Sequence, residues 1–392
     1  MLFKRKIFDK ILPWLEKPQA IVLTGMRRTG KTTLVKQLLE EIKSENKLYF
    51  DFEALEQRDV FEGANYGLIL LKLQELGLDT KYQMYVAIDE IQLLPSIASK
   101  VKYLSDHYPI KFILTGSSSY YLKHLFSESL AGRKIVFDIH PLDFGEYLTF
   151  KQISHSPWSE FKSTSTNNNY SRLQDYYEDY ILFGGFPAVV LESSMQGKRQ
   201  LLSEIISSYI NIDVRVMADF EKIGHLQKTI ELLASRIGSR LDISKLAMSV
   251  GVVRETMNNY LEFLEKTFVI SRVPVYSHSK DKTVTKAKKI YFCDTGLAGF
   301  LAQASSGALF ENAVYNQLRG FGTIAYFAKH SGQEIDFILT DSMAIEAKET
   351  PTASDLQTLK RRTHALRLPK YALIGRHKPF QFEKYIWAGE IK

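Results

Sequence analysis

The sequence predicts an α/β protein whose core is a parallel sheet wrapped by helices. Three observations indicate this class. Residues 20–24 form a short apolar run that leads into the glycine-containing stretch 25–32, and an amphipathic helical pattern follows. Further apolar runs at residues 47–53, 84–88 and 110–114 each end in polar side chains. Helical stretches separate the runs, and this alternation is typical of parallel strands that bind ligands at their carboxyl ends.

Composition restricts the class of protein. The 392 residues carry 51 Lys and Arg against 44 Asp and Glu, which gives a net charge of +7. This charge favours a nucleic-acid partner, although many cytosolic enzymes are also mildly basic. The single cysteine, Cys293, excludes a disulfide framework within the chain. No apolar run approaches the roughly 18–20 residues of a membrane span, and Lys10 interrupts any signal-peptide core. We expect a cytoplasmic protein with no membrane partner.

Residues 25–32 follow the spacing G-x-x-x-x-G-K-[ST] between a predicted strand and a predicted helix. The two glycines permit a tight turn, and the loop amides and helix N-terminus point at phosphates. Lys31 would reach the β- and γ-phosphates of ATP, and Thr32 would hold Mg²⁺. A plain glycine-rich turn is the alternative. The predicted cofactor-binding residues are Gly25, Gly30, Lys31, Thr32, Thr33 and Asp89.

Two carboxylates, Asp89 and Glu90, follow the apolar run of residues 84–88. Asp89 would hold Mg²⁺ through water, as the aspartate of a Walker B strand does. Glu90 is placed to orient and polarise the attacking water as a general base. Alone, the pair would more simply be an acidic turn, but a complete phosphate loop upstream favours the catalytic interpretation.

Two further residues are candidates for contact with the reacting phosphate. The run at 110–114 leads to Thr115 and to serines 117–119, where a polar side chain would contact the γ-phosphate or the attacking water. We favour Ser117. Arg133 precedes the next predicted strand and is a candidate transition-state arginine, acting in cis or on a neighbouring subunit. A structural ion pair is an equal alternative for Arg133.

Together these motifs resemble the AAA-type prokaryotic ATPases whose C-terminal half is a domain of unknown function. The resemblance is carried by Arg27 and Arg28 in the phosphate loop and by residues 89–92, 114–118, 130–133, 141–147 and 184–187. It extends through nearly the whole chain. The resemblance implies an ATPase with ATP and Mg²⁺ as cofactors.

Residues 226–292 have the outline of a winged helix. The pattern predicts a first helix, a short helix ending at Gly251 and a third helix over 253–264. Two predicted strands follow, and they flank a basic loop. The family resemblance agrees with this outline. Exposed recognition residues would be Arg254, Asn258 and Asn259, and the predicted phosphate contacts are Lys280, Lys282, Lys286, Lys288 and Lys289. A winged helix used for packing or protein binding is the alternative.

The last hundred residues hold a second constellation. A helix carries Glu311 near its start, and a hairpin turns at residues 341–342. Residues two apart on a strand face the same way, so Glu346 and Lys348 share a face. A short turn brings Asp336 opposite Glu346 or one place off. Two carboxylates beside a lysine can hold Mg²⁺, generate a hydroxide and stabilise a pentavalent phosphate.

The predicted order αβββαβ with D…E-x-K resembles the restriction-endonuclease-like, Holliday-junction-resolvase-like nucleases. The resemblance implies Asp336 and Glu346 as metal ligands, Lys348 as the catalytic lysine and Glu311 as an accessory acid. Such folds are also retained for binding without cleavage. The nine histidines show no ligand spacing, so we expect no zinc site.

The sequence therefore predicts four parts: an ATPase core (1–165), a helical lid on the nucleotide site (166–225), a winged helix (226–292) and a restriction-endonuclease-like α/β domain (293–392). The main hypothesis is a Mg-dependent ATPase coupled to DNA binding and a nuclease-like module. One rival is a nucleotide switch whose C-terminal half only binds proteins. Another is a metal-dependent DNA endonuclease regulated by ATP. The sequence leaves open the protein partner and whether the chain forms a homo-oligomer.

Overall fold

The structure, a computed structural model, divides into two compact units. It describes residues 3–63, 65–117, 132–155, 167–215, 223–277, 286–329 and 332–391. The first unit comprises residues 1–140 and 266–268, and the second comprises residues 141–265 and 269–392. Several predicted features lie outside the described residues: serines 118 and 119, Leu130 and Ala131, Lys280 and Lys282, and part of a polar loop predicted within 153–172.

The first unit is built on a five-stranded sheet in the order β2-β3-β4-β1-β5. Its strands are β1 (Ala20–Thr24), β2 (Lys47–Asp51), β3 (Met84–Asp89), β4 (Ile110–Gly116) and β5 (Lys134–Asp138). All four pairings are parallel. β1 and β4 are buried along their whole length, as expected of inner strands covered on both faces. The predicted α/β class with a parallel sheet is confirmed.

Helices cover both faces of this sheet. They are α1 (Phe8–Ile11), α2 (Lys31–Glu41), α3 (Leu55–Asp59), α4 (Tyr66–Glu75) and α5 (Ile97–His107). Successive side chains of β1 point to opposite faces. Val22 belongs to the core that includes Ile69 of α4 and Val101 of α5, whereas Ile21 belongs to the core that includes Leu34 of α2. The carboxyl end of the sheet therefore sits between two packed layers, which hold the phosphate loop in place.

The second unit begins with helices. They are α6 (Phe144–Phe150), α7 (Asn167–Phe183), α8 (Pro187–Leu191), α9 (Met195–Ser208), α10 (Ile223–Ala234), α11 (Ile243–Val250) and α12 (Arg254–Lys266). Asp242 caps α11. Gly251, with φ of 86°, ends this helix at the predicted place. The strands β6 (Ile270–Val273) and β7 (Lys289–Phe292) then pair antiparallel. In the described part of the chain no helix combines the length and apolar character needed to cross a membrane.

A mixed sheet in the order β12-β11-β10-β9-β8 ends the second unit. Its strands are β8 (Ile324–Ala328), β9 (Glu334–Leu339), β10 (Met343–Lys348), β11 (Lys370–Gly375) and β12 (Ile386–Trp387). The helices are α13 (Thr295–Leu301), α14 (Ser306–Leu318) and α15 (Ala353–Ala365). From α14 to β11 the elements follow the predicted order. The sequence did not predict β12, because two residues are too few to show a period.

The stretch at residues 184–187, prominent in the sequence, is a turn fixed by a buried carboxylate. Gly184 has φ of 77°, and a Cβ on it would lie 2.0 Å from Asp294 Oδ1. Asp294 Oδ2 accepts a hydrogen bond from the Gly185 amide at 2.6 Å, and Oδ1 accepts one from the Leu297 amide at 2.9 Å. Burial raises the pKa of Asp294 to about 6. This motif is therefore accounted for by packing.

Candidate functional site

The phosphate loop requires both of its glycines. Gly25 has φ of 150°, and a Cβ there would lie 2.1 Å from the carbonyl oxygen of Ile139. Gly30 has φ of 94° and immediately precedes α2. Any other residue would be strained at either position. The loop therefore delivers the chain to the start of α2 with the helix N-terminus available to an anion.

Lys31 lies folded across this loop. Its side chain is buried, and Nζ donates to the carbonyl oxygens of Gly25 at 2.8 Å and Met26 at 3.0 Å. The ammonium is therefore held where the loop curves, close to any phosphate bound by the loop amides. A second cation supports the loop from outside: Arg5, also buried, donates to the Thr29 carbonyl oxygen at 2.9 Å. Sequence reasoning missed Arg5, since nothing marks it among the charged residues of the N-terminal stretch.

The two predicted Mg²⁺ ligands of the core lie in contact. Thr32 Oγ1 donates to Asp89 Oδ2 at 2.5 Å. Tyr49 OH donates to the same oxygen at 3.1 Å, and Thr115 Oγ1 donates to Asp89 Oδ1. Burial and the Asp89 charge raise the pKa of Tyr49, which keeps it a hydrogen-bond donor. Hydroxyl and carboxylate oxygens are the ligands that Mg²⁺ prefers, so these residues fit the ion that the family resemblance implies.

Glu90 is held in a strained and enclosed position. Its backbone is left-handed, with φ of 54°, and such strain in a residue other than glycine is concentrated at functional sites. Glu90 Oε2 accepts a hydrogen bond from Gln92 Nε2 and lies 3.5 Å from Arg27. Burial raises the pKa of Glu90, although the charges of Lys31 and Arg27 oppose the shift. A carboxylate with a raised pKa is a better proton acceptor near neutral pH.

Ser117 is coupled to this glutamate through Gln92. Gln92 Nε2 donates to Ser117 Oγ at 3.0 Å as well as to Glu90. Because β4 lies between β1 and β3, Ser117 follows the strand that separates the phosphate loop from Asp89. The structure therefore brings Ser117, Glu90 and Asp89 to one edge of the sheet, as the sequence predicts. Thr33, in contrast, is an exposed residue of α2.

Arg133 lies at the amino-terminal end of the strands, opposite the end that carries the phosphate loop. Its carbonyl oxygen accepts a hydrogen bond from the Ala20 amide at 2.8 Å, and its Nε pairs with Asp106 Oδ1 at 2.8 Å. Ala20 opens β1 and Thr24 closes it, so the length of a five-residue strand, roughly 13 Å, separates Arg133 from the phosphate loop. The ion pair with Asp106 favours the structural alternative for Arg133, and a role in cis stays a prediction. A role on a neighbouring subunit stays a prediction.

Of the four residues predicted for the C-terminal site, Asp336, Glu346 and Lys348 lie close together at the ends of β9 and β10. β9 and β10 pair antiparallel, and the last residues paired are Ile345 and Phe337. Glu346 and Asp336 are the next residues beyond this end of the ladder. Asp336 Oδ2 accepts a hydrogen bond from the Ala347 amide at 3.0 Å. Lys348 Nζ lies 2.9 Å from Glu346 Oε1, whereas Glu346 Oε2 is buried without a hydrogen-bond partner among the described residues.

Lys289 is the largest departure from the sequence prediction. It was expected on the surface of a wing, in contact with DNA phosphates. Instead it is 1% exposed, with Nζ 3.1 Å from Glu311 Oε1, 2.6 Å from Glu334 Oε1 and 3.6 Å from Asp336 Oδ1. The phosphate role of Lys289 is therefore wrong. Sequence reasoning missed both Lys289 and Glu334, because a lysine in a basic run gives no sign that it points inward.

Two C-terminal glutamates, Glu311 and Glu346, lose their protons less readily than ordinary glutamates do. Burial, followed by the charge of Asp336, raises the pKa of both Glu311 and Glu346 to about 7. Tyr291 OH donates to Glu311 Oε1 at 2.6 Å. Within the described ranges, no group of three or more His, Cys, Asp or Glu side chains is arranged to hold a metal ion. The ammonium of Lys289 lies beside Glu311 and Asp336, two of the carboxylates that the resemblance to nucleases places at a metal site.

Three family models match successive parts of the chain. Residues 17–148 match an AAA domain, and residues 174–307 and 306–391 match two domains of unknown function. An uncharacterized protein of Haemophilus influenzae is 27% identical over 353 residues, which cover 86% of this chain and 84% of that protein. Another, of Methanocaldococcus jannaschii, is 27% identical over 350 residues, 86% of this chain and 75% of that protein.

Solved structures similar to this chain include a Walker-type ATPase of Pyrococcus abyssi. It is 16% identical, with a TM-score of 0.45, and the match covers 76% of this chain and 95% of that one. The ORC1 protein of Aeropyrum pernix, solved in complex with DNA, is 13% identical with a TM-score of 0.31, over 76% of this chain and 90% of that one. By sequence, then, residues 17–148 resemble an AAA domain.

Proposed function

We propose that this chain binds and hydrolyses Mg-ATP at the phosphate loop. The observation that carries the proposal is the contact between Thr32 and Asp89, 2.5 Å apart, beside the buried and strained Glu90. An acidic turn with no catalytic role has no need to bury two carboxylates next to Lys31, because burying charge is costly unless function requires it.

Each residue has a distinct role in the proposed reaction. Lys31 and the amides at the start of α2 bind the β- and γ-phosphates. Mg²⁺ held by Thr32 and Asp89 would neutralise phosphate charge and align the reacting oxygens. Glu90 orients the attacking water and accepts its proton. Ser117 contacts the γ-phosphate or this water. Gln92 hydrogen-bonds to both Ser117 and Glu90 and so links the position of one to that of the other.

Two substitutions test the assignment. Lys31→Ala removes the charge that reaches the phosphates, so binding of a fluorescent ATP analogue should be lost or greatly weakened. Glu90→Gln keeps the shape of the site and should retain ATP binding while phosphate release stops. Glu45→Gln, the same change at an exposed position, is the matched control. Parent-like hydrolysis by Glu90→Gln would show that another group is the base.

We further propose that DNA is the partner of the second unit, with α10–α12 and the β6–β7 pair acting as a winged helix. Support comes from the net charge of +7 and from Arg254 and Asn259, which are exposed on α12. ATP turnover measured with and without duplex and single-stranded DNA tests the coupling. A turnover rate that DNA leaves unchanged would favour the rival proposal, a nucleotide switch that acts on proteins. The lid assigned to residues 166–225 also stays a proposal.

A second candidate activity is Mg-dependent cleavage of DNA by the C-terminal domain. Support for this candidate comes from Asp336, which accepts a hydrogen bond from the amide of Ala347, next to Glu346, and from Lys348, which pairs with Glu346. Strand nicking with Mg²⁺ or Mn²⁺ should then be lost in Asp336→Ala and in Lys348→Ala, while ATP turnover is kept. Absence of nicking in the parent would leave the domain as a recognition fold whose cation is Lys289.

A further inference from the structure

We infer that the second unit binds the DNA backbone in one basic cleft at the start of α11 and α12. This inference rests on the proposal that DNA is the partner and identifies where it binds. The cleft is a cavity of about 650 Å³. Its charged lining residues are Arg240, Asp242, Arg254, Arg272, Lys286 and Lys288. Five cations therefore face one carboxylate.

Four of these cations lack a counter-charge. Within the described residues, Arg240, Arg254, Lys286 and Lys288 make no ion pair and no side-chain hydrogen bond. The other two charged groups are already engaged. Arg272 Nε donates to Glu265 Oε2 at 2.8 Å, and Asp242 Oδ1 accepts a hydrogen bond from the Lys245 amide at 3.0 Å. Four unpaired like charges around one cavity repel each other, and a bound polyanion removes that repulsion.

Two helix N-termini add to the positive potential. Ile243 and Ser244, the first residues of α11, line the cavity, and so does Arg254, the first residue of α12. The N-terminus of a helix carries a partial positive charge and free backbone amides, which bind phosphate oxygens. Side-chain and backbone donors therefore converge on the same space.

The lining favours a phosphate backbone over a free nucleotide. The uncharged side chains around the cavity are small or aliphatic, and no aromatic residue is among those described there. A mononucleotide site normally encloses its base between apolar or aromatic walls. Met248 on α11 and Val253 just before α12 are 78% and 67% exposed. On the helices that form the cleft, they offer apolar contacts to sugars or thymine methyl groups.

The cleft uses part of the recognition surface that the sequence predicts. Of the three residues predicted on this helix, Arg254, Asn258 and Asn259, only Arg254 is among those that line the cleft. The cleft combines it with Lys286 and Lys288 from the segment before β7. Contacts of this kind fix the position of DNA without reading its sequence.

Charge reversal in the full-length chain tests the cleft. Arg254→Glu, Lys286→Glu and Lys288→Glu are combined, and binding of a fluorescein-labelled duplex is followed by anisotropy across a KCl series. Each lost phosphate contact lowers the salt slope by about 0.9, so the triple variant should lose about 2.7 from the slope and roughly 10²–10³-fold in affinity at about 0.1 M salt. Arg254→Gln alone should lose roughly tenfold.

The matched control reverses three exposed cations outside the cleft: Arg199, Lys228 and Lys378. It changes the net charge equally and should leave the salt slope as in the parent. ATP turnover and the thermal midpoint should be unchanged in both triple variants. This result would show that both variants are folded.

Three outcomes would overturn the inference. Equal DNA binding by the parent and the cleft variant would keep DNA as the partner but place it elsewhere. No DNA binding by the parent, even at low salt, would remove both the cleft and the proposed partner, while ATP hydrolysis stands. Competition by polyglutamate as strong as that by unlabelled DNA of equal charge would assign the cleft to an acidic protein.

Discussion

Replacing Lys289 by methionine should destabilise the second unit strongly and in a pH-dependent way. Lys289 is 1% exposed, and its ammonium lies within 4 Å of carboxylates on Glu311, Glu334 and Asp336. Burial disfavours its charge, but these carboxylates outweigh burial and raise the pKa of Lys289 above its ordinary value. Methionine keeps the apolar stem and removes only the charge, so the carboxylates lose their counter-ion.

The size of the effect follows from this geometry. Removing one partner of a buried ion pair costs about 3–5 kcal/mol, because the remaining charge stays buried without compensation. For a unit of this size, 1 kcal/mol corresponds to a shift of about 2–4 °C, so the midpoint should fall by roughly 6–20 °C.

The cost should shrink as the pH falls. The pKa of Glu311 is already raised to about 7 with Lys289 present, and loss of the ammonium raises it further. The folded variant therefore takes up the Glu311 proton at a higher pH than the folded parent does. Above about pH 7 the variant keeps a proton that the parent has released. The stability of the variant relative to the parent therefore increases as the pH falls towards about 7.

Thermal unfolding of the full chain, followed by circular dichroism at about pH 8 and about pH 6, measures both effects. Lys286→Met, the same change at an exposed position three residues away, is the control. Adding Glu311→Gln to Lys289→Met should restore part of the loss, because it removes one uncompensated carboxylate. A Lys289→Met midpoint equal to that of the parent at the higher pH would refute the counter-ion role.

Three smaller predictions concern other buried polar groups. Tyr49→Phe removes a donor to Asp89 and should lower ATP turnover several-fold, roughly the worth of one hydrogen bond, with ATP affinity unchanged. Burial lowers the pKa of Lys111 to about 8, so parent stability should rise with pH between about 8 and 10.5; Lys111→Met should lack this rise in urea titrations. Burial raises the pKa of Asp294 to about 6, so the protonated carboxyl stabilises the folded chain at low pH. The free energy of unfolding should fall by about 3 kcal/mol as the pH rises from about 4 to 6, and Asp294→Asn should lack this fall.

The phosphate-loop site could be predicted because its chemistry is encoded in short, ordered stretches. The spacing of residues 25–32 fixes which backbone must turn and which side chains follow. Asp89 and Glu90 end an apolar run whose burial determines where they emerge. Tyr49 and Arg5 could not be predicted, since their contacts cross from other elements and leave no local pattern.

The C-terminal site shows why local pattern was insufficient. The sequence left Asp336 opposite Glu346 or one place off, and the antiparallel register of the hairpin brings the two residues next to the last paired residues of β9 and β10. It gave no information about Lys289, which comes from another sheet and is 47 residues from Asp336 in the chain. The identity of the cation in a cluster of carboxylates is a long-range property, and composition near the cluster does not reveal it.

Adjacent residues connect the proposed DNA cleft with the carboxylate cluster. Lys288 lines the cleft, and Lys289 is buried among carboxylates on β9 and α14. Consecutive side chains along an extended backbone point in opposite directions, so one short stretch serves both. Tyr291, two residues on, faces the same way as Lys289 and donates to Glu311. A boundary drawn after residue 292 would remove both partners of Glu311. Residues 226–292 and 293–392 are therefore better regarded as one electrostatic unit than as two independent domains.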